Sequence, residues 1–341
     1  MQKAGADGST QYKRRPKTKD QKMDFPFQLR NDKEFDAVGF GLNAVDYLVV
    51  VPEYPAFDTK VRLLEHRRSP GGQTATAMVA LQRLGLRTSY AGRFGTDDEG
   101  KFGLESLHEE KVDTQFAEVV TDARNQVAFI LIDARNGERT IIWDRDDRLS
   151  YRPDDSPVQL APLGRVLHID AHDPLACVRM AQAARAAGTI VSGDIDSVYE
   201  GLTGLLPLVD VLISSRELPH RLTGIADERA SLVEMKARYG CAVVGMTMGS
   251  RGAMIYCDGQ FLESQAYEVP GGCRDTTGAG DAFHAGFLYG LLRGAEIETS
   301  LQLANATAAL KCRDLGGRAA LPNVAELEQM LTSDLRTESR G

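Results

Sequence analysis

The segment from Asp275 to Asp281 holds the residues of this chain that are best suited to chemistry. Two glycines one residue apart, Gly278 and Gly280, stand just before a helix-like stretch over residues 282–293. Glycine lets bare backbone N–H groups approach a ligand, and the free N–H groups in the first turn of a helix attract anions. The pattern therefore predicts a cradle for a phosphate group.

Asp281 indicates that this cradle does more than bind. A carboxylate one turn into an anion-binding helix would repel a phosphate unless it had another task, and accepting a proton from an attacking hydroxyl is such a task. The alternative is a solvated aspartate at a glycine-rich helix start, favoured by the positive end of the helix. Short glycine motifs also arise by accident, so residue types alone leave both interpretations open.

Alternating strands and helices from Phe35 onward would position these residues. Apolar, β-rich runs alternate with helix-like segments closed by glycine, a pattern typical of a parallel sheet covered by helices on both faces. A row of small residues in the last helix predicts that this helix lies close to the sheet; the row is Ala282, Gly286 and Gly290. The predicted strands are 37–42, 88–93, 166–170, 189–194, 209–214 and 242–247, and the predicted helices are 74–84, 175–187, 231–239 and 282–293.

Two regions, about 47–66 and 115–145, interrupt this alternation. They contain strand-like runs without helices between them, and Asn136-Gly137 is a strong hairpin-turn dipeptide. We expect these runs to form a small β-sheet inserted from the main body. The runs are 47–51, 60–64, 127–133 and 139–143.

Composition bounds the class of protein. With 341 residues, of which 43% are hydrophobic and 26% charged, the chain can bury the core of one large α/β domain, which we place at 34–332 with a tail at 333–341. A cluster of seven basic residues lies in the first 22 positions, and we predict a disordered basic extension over 1–33. Both a solvated tail and a localisation or nucleic-acid role are open for that extension.

Net charge, apolar runs and cysteines exclude several classes. The net charge of −8 disfavours general nucleic-acid binding. The apolar runs are too short to cross a bilayer and no signal peptide opens the chain, so we expect a cytoplasmic protein without membrane partners. Five scattered cysteines without a CxxC pair argue against a disulfide framework or a zinc site.

Ligands of open parallel sheets bind at the carboxyl ends of the strands, so residues just after each predicted strand are the next candidates. Asp46 follows the first strand, where a carboxylate can accept hydrogen bonds from two neighbouring hydroxyls of a ligand or cap its own turn. Gly71 and Gly72 let backbone approach a ligand, and Gln73 and Thr76 project from the helical turn that follows.

Two later segments occupy equivalent positions. Glu217 comes shortly after the strand 209–214 and fits a helix-start carboxylate about as well as a metal-organising one. Thr247, Gly249 and Gly252 form a turn between two strands, and a tight β-turn with two glycines is enough to explain it structurally.

The segment Asp275 to Asp281 resembles the second signature of the ribokinase, or PfkB, family of sugar kinases, and the resemblance extends from about Asp36 to Pro322. Gly71-Gly72 and the stretch 92–100 are similar to the first signature. The resemblance implies a ribokinase-like three-layer α/β/α sandwich with a mostly parallel sheet and a small β-sheet lid. In that family the lid often makes dimer contacts, so we expect a homodimer through the lid.

The resemblance also implies roles for single residues. Asp281 would be the catalytic base, and the N–H groups of Gly278, Ala279 and Gly280 would form the anion hole. Glu217 would organise Mg²⁺ through water, and Asp275 with the loop 313–320 resembles a potassium-binding element. Sugar-binding residues would be Asp46, Gly71, Gly72, Gln73, Thr76 and the lid residue Arg145, and nucleotide-binding residues would be Thr247, Gly249, Gly252, Asn305 and Thr277.

The chain departs from the family pattern at three positions. Gln73, Thr76 and Ser214 stand where asparagine is usual. Gln73 and Thr76 can still form hydrogen bonds, but with a different reach, so the identity of the sugar is open, as are the phosphorylated hydroxyl and potassium dependence.

The hypothesis is therefore ATP- and Mg²⁺-dependent phosphorylation of a sugar hydroxyl, on a ketohexose, a pentose or a related sugar. One alternative is a nucleoside kinase that uses the same site. Another is a non-catalytic sugar- or nucleotide-sensing protein on the same fold, against which the presence of both Asp46 and Asp281 argues. A nicotinamide-dependent dehydrogenase is disfavoured because no Gly-x-Gly-x-x-Gly follows the first predicted strand.

Overall fold

Alternating strands and helices run through residues 23–338, the part of the chain that the computed structural model describes. The strands are β1 Phe35–Phe40, β2 Ala44–Val51, β3 Glu65–Gly71, β4 Thr88–Ala91, β5 Arg93–Gly95, β6 Glu118–Val120, β7 Val127–Asp133, β8 Arg139–Asp144, β9 Gly164–Ile169, β10 Ile190–Ile195, β11 Val211–Ser215, β12 Val243–Thr247, β13 Ala253–Cys257 and β14 Gln260–Ser264. The helices are α1 Gln73–Arg83, α2 Asp98–Glu109, α3 Pro174–Ala186, α4 Leu202–Leu205, α5 Glu217–Thr223, α6 Glu228–Tyr239, α7 Ala279–Leu292, α8 Ile297–Lys311 and α9 Val324–Glu338.

Eight strands form the central sheet in the order β14-β13-β12-β11-β10-β9-β1-β4. The six strands from β12 to β4 pair in parallel, and β13 and β14 extend one edge antiparallel. Ile213 on one face packs in a core with α1, α7 and α8, whereas Leu212 on the other face packs with α3 to α6. Helices on both faces explain why all six residues of β10 are buried, and they make the predicted three-layer α/β/α sandwich.

A second sheet, in the order β3-β2-β7-β8, forms the lid. Asp46 on β2 lies opposite Ala128 on β7, which lies opposite Trp143 on β8, so these three side chains share one face of the lid. The lid confirms the predicted small sheet, with two differences in its strands. The strand before α1 is 65–71 rather than 60–64, and β6, at 118–120, pairs with β5 outside the lid.

The ends of the domain differ from the sequence prediction. Residues 1–22, most of the predicted disordered extension, lie outside the described residues. In the stretch 23–33, which the prediction included, Met23 is buried and its carbonyl accepts a hydrogen bond from the N–H of Ile297 at 3.0 Å. Phe25 meets the ring of Phe287 edge-on at 5.6 Å, so apolar side chains anchor this stretch to the body. Helix α9 continues past the predicted boundary at residue 332.

The small-residue row of α7 contacts a helix and not the sheet that the sequence analysis predicted. A Cβ atom at Gly286 would lie 2.6 Å from Oγ1 of Thr307, and one at Gly290 would lie 2.5 Å from Oγ of Ser300, both on α8. Glycine therefore allows α7 and α8 to pack closely. None of the helices within residues 23–338 has the length and apolar character that a membrane span requires.

Candidate active site

A cavity of about 1190 Å³ lies between the carboxyl ends of the central strands and the inner face of the lid. Asp194, Ser214 and Thr247 line it at the ends of β10, β11 and β12. Asp46 and Trp143 line it from the lid. The cavity is thus at the strand ends where ligands of parallel α/β sheets bind.

Asp46 and Asp281 are two carboxylates in this cavity without protein donors. Within residues 23–338 neither side chain accepts a hydrogen bond. Burial raises the pKa of Asp46 to about 7, although the Arg318 guanidinium opposes the shift. Burial also raises the pKa of Asp281 well above its usual range, and the charge of Asp194 adds to the effect. A carboxylate with a raised pKa is a stronger proton acceptor, which suits a general base.

The first turn of α7 has the glycine cap and the backbone geometry on which the predicted cradle depends. Gly278 caps the helix with a φ of 76°, and a Cβ atom there would lie 2.7 Å from Cα of Gly317. In the described part of the chain the N–H groups of Gly278 and Gly280 have no acceptor, whereas the N–H of Ala279 donates to the carbonyl of Thr276 at 3.1 Å. Two of the three predicted donors are therefore available to an anion, and Ala279 is engaged in a turn.

Thr277 adds a polar group to the cradle. Its side chain is buried and lines the cavity, and within residues 23–338 its hydroxyl has no hydrogen-bond partner. An unsatisfied buried hydroxyl costs about 1–3 kcal/mol, so its presence at a cavity wall favours a ligand that completes the hydrogen bond.

The sugar-side residues predicted from the sequence also come together. Gly71, Gly72, Gln73 and Thr76 all line the cavity, beside Asp46. Gly72 has a φ of 89° at the start of α1, and a Cβ atom there would meet the backbone of the turn after β1, so only glycine fits without strain.

Arg318 supports this wall from behind, and the sequence analysis included it only within the loop 313–320. Its buried guanidinium donates to Oγ1 of Thr76 at 3.3 Å, to Oγ of Ser106 at 3.0 Å and to the carbonyl of Gly71 at 2.6 Å. Burial lowers its pKa to about 10, with Tyr90 and Asp46 acting in the opposite direction. The adjoining Gly316-Gly317 pair, where backbones approach closely, was the available sequence signal.

The residues that the sequence predicts to bind the nucleotide also line the cavity. Thr247, Gly249, Gly252 and Asn305 are all on its wall. Nδ2 of Asn305 donates to the carbonyl of Ser264 at 3.1 Å and to its Oγ at 3.0 Å, which fixes the amide. Gly278, Ala279 and Gly280 line the same cavity as these residues and as Asp46.

Three predicted site residues do not line the cavity. Arg145 is engaged elsewhere, since its guanidinium contacts the Asp173 carboxylate at 3.1 and 3.3 Å. Glu217 is exposed at the start of α5, and Ser214 and Ser215 line the cavity in its place. The sequence could not predict that Arg145 and Glu217 do not line the cavity, because the direction of a side chain depends on the packing around it.

Asp275, the third, is fully buried beneath the cradle. Its Oδ1 accepts from the N–H of Thr277 at 2.8 Å and its Oδ2 from the N–H of Gly316 at 2.7 Å. Nζ of Lys311 lies 2.9 Å from the Asp275 carbonyl oxygen and 3.5 Å from that of Asp314. The position expected for potassium is therefore filled by an ammonium group, and these residues do not fit a bound potassium ion.

A hydrated magnesium ion fits the cavity better. Among the described residues, no three His, Cys, Asp or Glu side chains form a group that could hold a metal. Mg²⁺ keeps several waters and takes one or two carboxylates together with substrate phosphates, so the carboxylate of Asp194 on the cavity wall is a candidate ligand for it.

The sequence analysis missed several cavity residues. Asp194 lies near the end of strand β10 and Asp196 directly follows it, so the rule of strand ends would have found both. Nε2 of His284 lies 3.1 Å from Oδ1 of Asp194. Burial alone would raise the pKa of Asp194, but the charge and hydrogen bond of His284 outweigh it and the pKa lies below the usual range.

Three aromatic side chains of the cavity wall were also missed. The ring of Trp143 meets that of His172 edge-on at 6.0 Å, and His172 meets Tyr199 at 5.5 Å. All three line the cavity. Trp143 is the only tryptophan of the chain and ends a lid strand, which is the one signal that the sequence offered.

The chain belongs to the pfkB family of carbohydrate kinases, whose family model matches residues 37–324. It is a kinase of the kind that phosphorylates sugars with ATP. It is 27% identical over 310 residues to a nucleoside kinase of Methanothermobacter thermautotrophicus, covering 89% of this chain and 97% of the relative. It is 29% identical over 299 residues to a fructokinase of Klebsiella pneumoniae, covering 80% and 94%.

Solved structures agree on the fold. A candidate ribokinase from Agrobacterium tumefaciens superposes with a TM-score of 0.81 at 29% identity, covering 89% of this chain and 99% of that chain. The ribokinase of Arabidopsis thaliana, solved with ribose and ATP, gives a TM-score of 0.73 at 21% identity, covering 87% and 98%. These structures confirm the predicted ribokinase-like fold.

Proposed function

We propose that this chain transfers the γ-phosphoryl group of ATP to a hydroxyl of a sugar or sugar-like alcohol, with Asp281 as the general base. The observation that carries the proposal is the pair Asp46 and Asp281. Among residues 23–338 neither carboxylate has a donor and the N–H groups of Gly278 and Gly280 have no acceptor; both carboxylates face one cavity, and those N–H groups stand beside the second.

Each group has a task in this reaction. Asp46 accepts hydrogen bonds from two hydroxyls of the acceptor, while Gly72 and Gln73 provide the adjoining wall. Asp281 takes the proton from the hydroxyl that attacks phosphorus. The N–H groups at the start of α7 meet the negative charge that develops on the transferred group. Mg²⁺, when bound, would neutralise charge on the phosphates.

The lid would exclude water from this reaction. Arg139 and Gly137, in the β7–β8 hairpin, both contact Thr276 on the cradle loop: Nη1 of Arg139 donates to Oγ1 at 2.7 Å, and Oγ1 donates to the carbonyl of Gly137 at 3.1 Å. The hairpin therefore contacts the loop that leads into the cradle. Water that reached the bound ATP would compete as the acceptor.

A nucleoside acceptor is the second candidate, and the aromatic group favours it. Trp143 shares a row with Asp46 across the lid, so a ligand whose ribose hydroxyls bind Asp46 would bring a base toward Trp143, His172 and Tyr199. Aromatic rings stack on nucleobases, whereas a free pentose or ketohexose has no need of three of them. The nucleoside kinase among the relatives is in keeping with this.

Release of ADP, measured with Mg²⁺ across pentoses, ketohexoses, 2-keto-3-deoxy acids and nucleosides, tests the proposal. Turnover of at least one of these acceptors is expected, and failure of all of them would count against a sugar or nucleoside kinase. Trp143→Ala separates the candidates. It should raise KM for a nucleoside by about tenfold or more, since a stacked base contributes about 1–3 kcal/mol, and change KM for a free sugar much less.

We also propose that the outer face of the lid forms a homodimer contact and that the protein works in the cytoplasm. On that face Phe129 is 48% exposed and Ile142 is 59% exposed, opposite each other on β7 and β8. Exposed apolar side chains in a row are typical of an interface. Sedimentation of wild type against Ile142→Lys measures the association.

A further inference from the structure

Lys311 is a fully buried lysine directly behind the phosphate cradle. It is the last residue of α8 and none of its surface is exposed. Burying an ammonium group costs several kcal/mol unless oxygen atoms compensate it. The proposed reaction does not explain why this lysine is buried, because Asp281 accepts the proton and Asp46 accepts the hydrogen bonds of the substrate.

The groups around Nζ of Lys311 are those of a monovalent-cation site. The carbonyl oxygens of Asp275 and Asp314 lie at 2.9 and 3.5 Å, and Oδ2 of Asp275 lies at 4.0 Å. The C-terminal end of α8 adds the negative end of a helix dipole. Carbonyl oxygens and one carboxylate are hard ligands, which suit an ammonium group and an alkali cation alike.

These contacts connect two loops that shape the cradle. Asp275 begins the segment that leads to Gly278, and Asp314 begins the loop whose Gly317 packs against Gly278. The Asp275 carboxylate reinforces the connection by accepting from the N–H groups of Thr277 and Gly316. A positive charge between the two carbonyls holds both loops in place, and so sets where the N–H groups of the cradle point.

We propose that the ammonium group of Lys311 takes the place of a monovalent metal ion in this protein, as a covalently fixed cation that positions the anion hole. Lys311 is then a positioning residue, since it acts through the backbone of residues 275–278. The protein should need no potassium, because the position that the ion would occupy is filled.

Salt dependence of the wild-type protein is the first test. The melting temperature and the rate of ADP release are measured in KCl, NaCl and choline chloride at equal ionic strength. Both quantities should be the same in the three salts. A saturable rise of the wild-type melting temperature with K⁺ that choline does not produce would overturn the proposal. The melting temperature does not depend on the acceptor, so this outcome is separate from a failure of the proposed function.

Lys311→Ala is the second test, because it removes the ammonium and leaves room among the carbonyls. In choline chloride this variant should melt lower than wild type and turn over roughly ten- to a hundredfold more slowly, the size of losing one preorganised stabilising group. K⁺ and NH₄⁺ should restore both quantities with saturation, since an ion that binds only the folded state stabilises it. Lys311→Met, which fills the space without charge, should not be restored.

Lys236→Ala is the matched control. Nζ of Lys236 also donates to two backbone carbonyls, those of Cys241 at 3.0 Å and Ala242 at 2.5 Å, at the opposite ends of the strands. Its loss should lower the melting temperature equally in every salt. If Lys311→Ala folds but gains nothing from K⁺ or NH₄⁺, in melting temperature or in rate, the ammonium does not occupy a cation position and the proposal fails.

Discussion

The backbone of Gly71 runs between a buried cation and a buried carboxylate, and a side chain there would take the space of the Asp46 carboxylate. A Cβ atom at residue 71 would fall against Oδ2 of Asp46, while the carbonyl of Gly71 accepts from the Arg318 guanidinium at 2.6 Å. Gly71 is thus required by close packing around the group that we assign to acceptor binding.

Gly71→Ala should therefore weaken acceptor binding and leave ATP binding intact. The added methyl displaces the Asp46 carboxylate, so KM for the acceptor should rise by about tenfold or more, the value of one charge-assisted hydrogen bond. Steady-state kinetics with each substrate varied in turn measures both KM values. Gly204→Ala, where a Cβ atom would meet nothing within 4 Å, is the control and should behave as wild type. Equal rises in both KM values would show that the change is not local to Asp46.

Asp46 should make stability depend on pH. Its pKa is raised to about 7, chiefly by burial, so the folded protein retains a proton that the unfolded chain loses near pH 4. The contribution of this retained proton to the free energy of unfolding is fully present below about pH 4 and is lost as the pH rises through about 7. In Asp46→Asn this ionisation is absent, so its unfolding free energy relative to wild type should increase by about 2–4 kcal/mol between about pH 4 and pH 8.

Urea unfolding of both proteins across that range measures the difference. A difference that does not change with pH would contradict the raised pKa of Asp46. The same variant should lose acceptor binding, because an amide offers one acceptor oxygen where the carboxylate offers two.

Arg139→Gln should loosen the lid. This arginine joins the hairpin to Thr276 on the cradle loop, and its charge lies close enough to favour ionised Asp281. We expect turnover to fall by roughly ten- to a hundredfold and ADP release without acceptor to become a larger share of the total. Arg124→Gln, at an arginine that pairs with Asp144 on the surface, is the control. An unchanged ratio of coupled to uncoupled ADP release would argue against the role of the lid in excluding water.

Local pattern was sufficient to predict the fold and to select many of the residues that line the cavity. Glycine-closed helices between apolar strands predicted the parallel sheet, and the glycines before α7 predicted the cradle, because both depend on short-range geometry. Asp46, Gln73 and Asn305 reached the cavity as expected, since residues at the carboxyl ends of parallel strands and on the adjoining helices converge.

The predictions that proved wrong depend on packing between segments that are far apart in the sequence. Arg145 turns to Asp173 and leaves the cavity, and Lys311 reaches Asp275 from 36 residues away, which no sequence window contains. The row of small residues on α7 could pack against either a helix or a sheet, and the sequence does not distinguish the two. The tertiary structure shows that it packs against α8. Phe25 likewise appears as part of a polar tail until its partner Phe287 is known.

The role of Asp281 is the central claim, and single-turnover phosphorylation by Asp281→Asn tests it most directly. The rate should fall by about a hundred- to ten-thousandfold, the usual contribution of a general base, while the Kd of a non-hydrolysable ATP analogue should stay close to that of wild type. Asp98→Asn, at an exposed carboxylate on α2, should keep the wild-type rate. A rate for Asp281→Asn equal to that of wild type would contradict the assignment of this carboxylate as the base.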